Sequence, residues 1–141
     1  MMECVFCKIR DGQIPSMRVY EDAATFAIMD INPLNPGHCL VITKTHAATI
    51  YEAGATDLQA AMATAKRVAM AIRSSLNPDG LNVLQANGAA AFQSVLHFHL
   101  HLIPRFTNDG KGFDWPVVPG DRARIVVAGE KIRAALGATD G

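Results

Sequence analysis

Apolar side chains recur at three- and four-residue steps between positions 58 and 76: Leu58, Ala61, Met62, Ala65, Val68, Ala69, Ile72 and Leu76 form one stripe of a helix. Thr56-Asp57-Leu58-Gln59 has the form of a capping box ahead of it, and Asn77-Pro78-Asp79-Gly80 stops it. Elsewhere the period is two. Residues 18–21 and 25–30 are short β-branched and aromatic runs around Asp22-Ala23-Ala24, which predicts a hairpin. The loop 31–37 carries two prolines and a glycine, and a strand resumes over 38–43. Further strands are expected over 81–86 and 95–103, with a turn at Asn87-Gly88 between them. A turn of helix is expected over 7–11, and a final helix over 121–136 follows Trp115-Pro116-Val117-Val118-Pro119 and ends at Gly137. Strands clustered around one long helix predict an α+β fold with an antiparallel sheet.

At 141 residues and 15.1 kDa, with no repeat, low-complexity tract or linker, the chain reads as a single domain over 1–141, its last residues 138–141 a loose tail. Thirteen basic residues balance thirteen acidic ones, so no broad basic face for nucleic acid is expected. No apolar run reaches the roughly 20 residues that span a bilayer, and Met1-Met2-Glu3 does not open a secretory leader. A cytoplasmic protein without membrane partners is the expectation.

The candidate chemistry lies in cysteine and histidine. Cys4-x-x-Cys7 offers two thiols at a spacing that suits either half of a zinc site or a redox pair, and Cys39 is left over. Three of the five histidines fall within five residues, His97, His99 and His101. On a strand they would share one face, opposite Phe98, Leu100 and Leu102. Cα atoms of the outer pair would stand about 13 Å apart, too far for all three imidazoles to meet on one ion. Two neighbours plus a distant ligand could still make a metallohydrolase. The alternative is nucleophilic catalysis, in which an imidazole attacks phosphorus, and the central His99 is the best flanked.

His97-Phe98-His99-Leu100-His101-Leu102-Ile103 resembles the signature of the histidine triad (HIT) family, His-φ-His-φ-His-φ-φ, at every position. The Cys4 to Ile9 start, Asp30-Ile31-Asn32-Pro33, Gly37-His38-Cys39-Leu40-Val41-Ile42, Lys44-Thr45-His46, Asn87 and Gln93-Ser94-Val95 resemble the Hint-type branch, in family order over residues 4–105. Residues 106–141 form an extension, similar to bacterial members through Gly110-Lys111-Gly112-Phe113 and only loosely matched beyond.

The resemblance implies a hydrolase or transferase that cleaves a nucleoside monophosphate from an amine or phosphate leaving group through a nucleotidyl-histidine intermediate. A purine nucleoside phosphoramidase is the leading reading; a diadenosine-polyphosphate hydrolase and a nucleotide-binding regulatory protein are the alternatives. It implies His99 as nucleophile, His101 and His38 as phosphate-side imidazoles, Ser94 near the leaving group, and Asn87 and Gln93 as phosphate contacts. Asp30 would bind the ribose, and Phe6, Ile28, Ile31 and Leu40 would enclose the base. Cys4, Cys7, His46 and His97 would hold a structural zinc, leaving the chemistry metal-free, and Cys39 would face the core. A homodimer with the sheet continued across it is also implied. One position departs from the pattern: Phe92 stands where the family commonly has glycine, a bulk that would narrow the phosphate loop or reshape its leaving-group side.

Overall fold

The computed structural model describes residues 3–137, in two compact units that divide between Lys111 and Gly112. The first contains helix α1 (Val5–Arg10), strands β1 (Arg18–Glu21), β2 (Thr25–Met29) and β3 (Cys39–Thr43), the long helix α2 (Ala55–Leu76), strand β4 (Gly80–Leu84), a 3₁₀ turn over Ala89–Ala91, and strand β5 (His99–Arg105). The second contains helix α3 (Arg122–Gly137), whose first turn is capped by the Asp121 carboxylate accepting from the amides of Ala123 and Arg124.

The five strands form one antiparallel sheet in the order β1-β2-β3-β5-β4. β2 and β3 are apolar almost throughout, and each is covered on both faces. Ala27, Cys39, Val41, Phe98, Leu100 and Leu102 pack against Ala61, Ala65, Val68 and Ile72 of α2. On the opposite face Phe26, Ile28, Leu40 and Ile42 pack against Phe6 and Ile9 of α1. Cys39 therefore lies in the core, as expected. The alanines of α2 bring its backbone close to the sheet, where the Thr64 and Thr25 hydroxyls meet at 2.7 Å and satisfy each other.

Four expectations change. The long helix begins at Ala55 behind a Gly54 cap with no side-chain bond, so Thr56 lies within the first turn and the capping box does not form. Its buried face runs through Thr64 rather than Met62, which is 55% exposed, and Leu76 is exposed as well. Met62 stands one residue, about 100°, off the line of Ala61, Ala65 and Val68. β4 ends at Leu84 rather than at 86. The last strand starts at His99 rather than at 95, because residues 93–98 bond to the 47–48 segment instead of joining the ladder: the Phe98 amide donates to the Ala47 carbonyl at 2.7 Å, and Gln93 Nε2 to that of Ala48 at 2.6 Å.

Gly37, just before β3, has φ +94°, and a Cβ there would collide with Leu76 Cδ1 and reach Pro104 Cγ at 3.0 Å. Gly37→Ala is expected to destabilise the fold by about 2 kcal/mol, from left-handed strain plus the collision. An unchanged urea midpoint in that variant would show that the turn adapts.

Candidate active site and metal cluster

β5 pairs with β3 so that His99 stands opposite Ile42 and His101 opposite Leu40, which puts both imidazoles on the α1 side of the sheet. His99 is fixed by two contacts. Its Nδ1–H donates to the His97 carbonyl at 2.6 Å, and its ring meets Phe6 edge-on, centroids 5.0 Å apart. With Nδ1 committed, the lone pair is on Nε2. Burial lowers the His99 pKa, and nearby His101 lowers it further, which keeps that lone pair free of a proton near neutrality.

His101 Nδ1 lies 2.9 Å from His38 Nε2, and the Asp30 carboxylate is 3.4 Å from the same His38 nitrogen. His38 Nδ1 accepts the Leu34 amide at 3.0 Å. Burial lowers the pKa of both imidazoles, His38 lowers that of His101 further, and the Asp30 carboxylate pulls both the other way without overcoming burial. His99, His101, Asp30 and Ser94 line a cavity of about 240 Å³ whose apolar wall includes Phe6, Ile28, Ile31 and Leu40. The arrangement places an unprotonated nucleophilic nitrogen and polar donors at one end of an apolar cleft, which suits attack on a polar centre attached to a flat, apolar body.

Asn87 and Gln93 are placed differently from these residues. Asn87 Oδ1 accepts the Ile50 amide at 2.7 Å and exchanges hydrogen bonds with Gln85. Gln93 accepts the Gly88 amide and donates to the carbonyls of Ala48 and Val95. Together they lash the 85–95 segment to the 48–50 loop. Phe92 adopts φ +65°, the conformation a glycine takes without strain, and its ring is 92% exposed and outside the cavity lining, so it does not narrow the cleft.

His97 precedes β5 and takes no part in that cleft. Its Nε2–H donates to the Thr43 carbonyl at 2.6 Å, which leaves Nδ1 as the ligand atom. That Nδ1 lies 3.3 Å from Cys4 Sγ, 3.6 Å from Cys7 Sγ and 3.1 Å from His46 Nδ1, while Cys7 Sγ is 3.4 Å from His46 Nδ1. Vertices of a tetrahedral zinc site with two thiolates and two imidazoles stand about 3.3–3.8 Å apart, so the donor set fits such an ion. The Cys7 amide also donates to Cys4 Sγ at 3.4 Å, which fixes that sulfur at the cap of α1. Burial pushes the Cys7 thiol up and the His97 imidazole down to about 4; a bound cation would favour the ligating forms of both. Among the described residues His97 and His99 belong to no common metal group, which removes the basis for a metallohydrolase built on that pair. A second group, Asp30, His38 and His101, has its ligand atoms equally close, but its imidazole nitrogens are engaged with each other.

The buried Asn35, which donates to the Pro104 carbonyl and to Asp109, was not anticipated from sequence, where Asn35-Pro36-Gly37 signals only a turn.

Comparison with known proteins gives the same picture. A family model described as HIT domain matches residues 11–108. "Protein hit" of Bacillus subtilis is 45% identical over 113 residues, 79% of this chain and 78% of its own. The adenosine 5'-monophosphoramidase hnt1 of Schizosaccharomyces pombe is 39% identical over 136 residues, 96% of this chain and 99% of its own. Among solved structures, SMU.412c of Streptococcus mutans superposes with a TM-score of 0.91 at 36% identity, covering 96% of this chain and 87% of that one. A zinc-bound histidine triad family protein of Mycobacterium smegmatis superposes at 0.75 with 37% identity, covering 95% and 98%. With its histidine triad leading into β5, a Cys/His cluster of the right donor set and these matches, the chain belongs to the HIT domain family.

Proposed function

We propose that the protein hydrolyses a nucleoside monophosphate joined to an amine, as a purine nucleoside phosphoramidase. The observation that carries the reading is the His99 imidazole, its Nδ1–H held by the His97 carbonyl and its Nε2 left unprotonated in a cleft with one apolar wall. A base fits between Phe6, Ile28, Ile31 and Leu40, and the Asp30 carboxylate accepts from the ribose hydroxyls. Nε2 of His99 attacks the α-phosphorus, the phosphorus–nitrogen bond breaks, and the amine leaves with a proton drawn from the His101 and Ser94 side. Water then attacks the same phosphorus and releases the monophosphate and free His99. His101 stabilises charge on the phosphoryl oxygens, His38 supports it from behind through their shared hydrogen bond, and Asn87 and Gln93 support the phosphate side by holding its loop. The name of the Schizosaccharomyces pombe relative supports this choice of substrate.

Turnover of adenosine 5'-phosphoramidate against diadenosine tetraphosphate tests the choice. A preference of about a hundredfold or more for the phosphoramidate is expected, about 3 kcal/mol in transition-state discrimination; preference for the dinucleotide would replace this reading with the polyphosphate hydrolase.

In this reading Cys4, Cys7, His46 and His97 hold a zinc ion with a structural role, pinning α1 to the sheet, and no step of the chemistry passes through it. The zinc-bound mycobacterial relative supports the metal. The chain acts in the cytoplasm as one HIT domain and as a homodimer. Support for pairing comes from β4, an edge strand whose Val83 and Leu84 are exposed and on which a second copy would continue the sheet. Within the described residues no helix is long and apolar enough to cross a membrane.

A further inference from the structure

We infer that Asn35 is a positioning residue that fixes the tautomer of His38, and through it that of His101, by pinning the turn whose Leu34 amide donates to His38 Nδ1. An amide N–H has no lone pair to offer, so the nitrogen it meets at 3.0 Å must carry one. The single proton of neutral His38 therefore sits on Nε2, aimed at His101 Nδ1 at 2.9 Å, with the Asp30 carboxylate 3.4 Å away. His101 Nδ1 is then an acceptor, and its own proton sits on Nε2, the nitrogen left for the cleft. Each imidazole has one allowed tautomer, set by one backbone donor. Charging either ring would bring two N–H groups face to face, in keeping with the lowered pKa of both.

Asn35 holds the donor in place. It is buried, and its Nδ2 spends both hydrogens on fixed acceptors, the Pro104 carbonyl at the end of β5 and Asp109 Oδ2, each at 2.9 Å. Its backbone carbonyl accepts the His38 amide at 3.2 Å. Asp109 is itself gripped by the Arg105 guanidinium at 2.9 and 3.0 Å, which holds its carboxyl well below the usual range. The turn thus hangs from the strand that carries His99 and His101, so the amide, His38 and His101 share one frame. The same lock has a second effect. With a proton on Nε2, His38 has no electron pair facing Asp30 and His101, and that trio cannot take a metal as the Cys/His cluster can.

The inference uses the role given to His101 above, and its test has an arm that needs no substrate. Long-range nitrogen-15 NMR of the full-length protein reports the protonated nitrogen of each imidazole. His38 and His101 are expected as Nε2–H tautomers in the wild type, and a wild-type His38 protonated at Nδ1 overturns the inference whatever any variant does. In Asn35→Ala, and in Leu34→Pro, which deletes the donor itself, the His38 signals are expected to move to a tautomer mixture. The value of kcat for a phosphoramidate should fall about tenfold, with KM within about twofold, less than the roughly hundredfold or more that a proton donor contributes, because the donor is misoriented for part of the time and not removed. Variants that keep the wild-type tautomers, or that lose them without loss of kcat, would sink the positioning role. Absence of phosphoramidate turnover in the wild type alongside the expected tautomers would instead strike the proposed function and leave the lock standing.

Discussion

A His99→Ala variant is expected to turn over an adenosine phosphoramidate at least about a thousandfold more slowly than the wild type while still binding the monophosphate. Removing a nucleophile deletes the covalent route and leaves only what binding and the surrounding donors contribute, a loss commonly of this size or larger. Binding survives because the cleft's apolar wall of Phe6, Ile28 and Leu40 and the Asp30 carboxylate stand on α1, β2, β3 and the loop after β2, none of which needs the imidazole. The fold survives because β5 is held from its other face by Leu100 and Leu102 against α2. The variant gives up one hydrogen bond and the edge-on contact with Phe6, about 1–3 kcal/mol. Steady-state rates, calorimetric titration with the monophosphate and a melting curve separate the three quantities. Turnover within tenfold of the wild type would end the nucleophile assignment.

The second large effect concerns the Cys/His cluster. Metal analysis of the purified protein should find one zinc per chain, and Cys4→Ser with Cys7→Ser should abolish it. An ion held at a thousandfold over its dissociation constant stabilises the native state by about 4 kcal/mol. In a unit of this size that corresponds to a drop of about 15 °C in melting temperature when the metal is lost. The drop should be the same whether chelation or mutation removes the ion. It should also be independent of nucleotide, since no group of the cluster lines the cleft. Equal melting temperatures with and without metal would deny the structural role. The two sites nonetheless touch, because the carbonyl that orients His99 belongs to His97 and Phe6 meets both rings edge-on.

Period-two reading placed His99 and His101 on one face and Phe98, Leu100 and Leu102 on the other, and that is how β5 stands. What it missed was the start of the strand, since His97 keeps to the same side, its ring edge-on to Phe6, but stands outside the ladder. Alternation assumes a continuing ladder, whereas His97 sits in a segment bonded to the 47–48 loop, a long-range choice that local pattern does not encode. Grouping His46 and His97 with Cys4 and Cys7 came from resemblance, since residues so distant in sequence carry no spacing signal. Met62 entered the predicted stripe because apolarity and approximate period were satisfied, and only the sheet's position showed that Thr64 faced inward. Asn35 was hidden for the opposite reason: an asparagine in a proline- and glycine-bearing loop is expected for turn geometry alone, so its two distant acceptors leave no trace in the local sequence.

Cys4 and His97 meet across 93 positions of sequence. An ion shared by such partners acts as a clasp on most of the first unit, and closing a loop of that length with a persistent cross-link removes about 4–5 kcal/mol of chain entropy from the unfolded state. The order of assembly follows. A zinc ion held there would be fully ligated only after α1 has docked and the residues leading into β5 have reached the turn after β3, so completing its site would be a late event in folding. The clasp should therefore act mainly by slowing unfolding rather than by hastening folding.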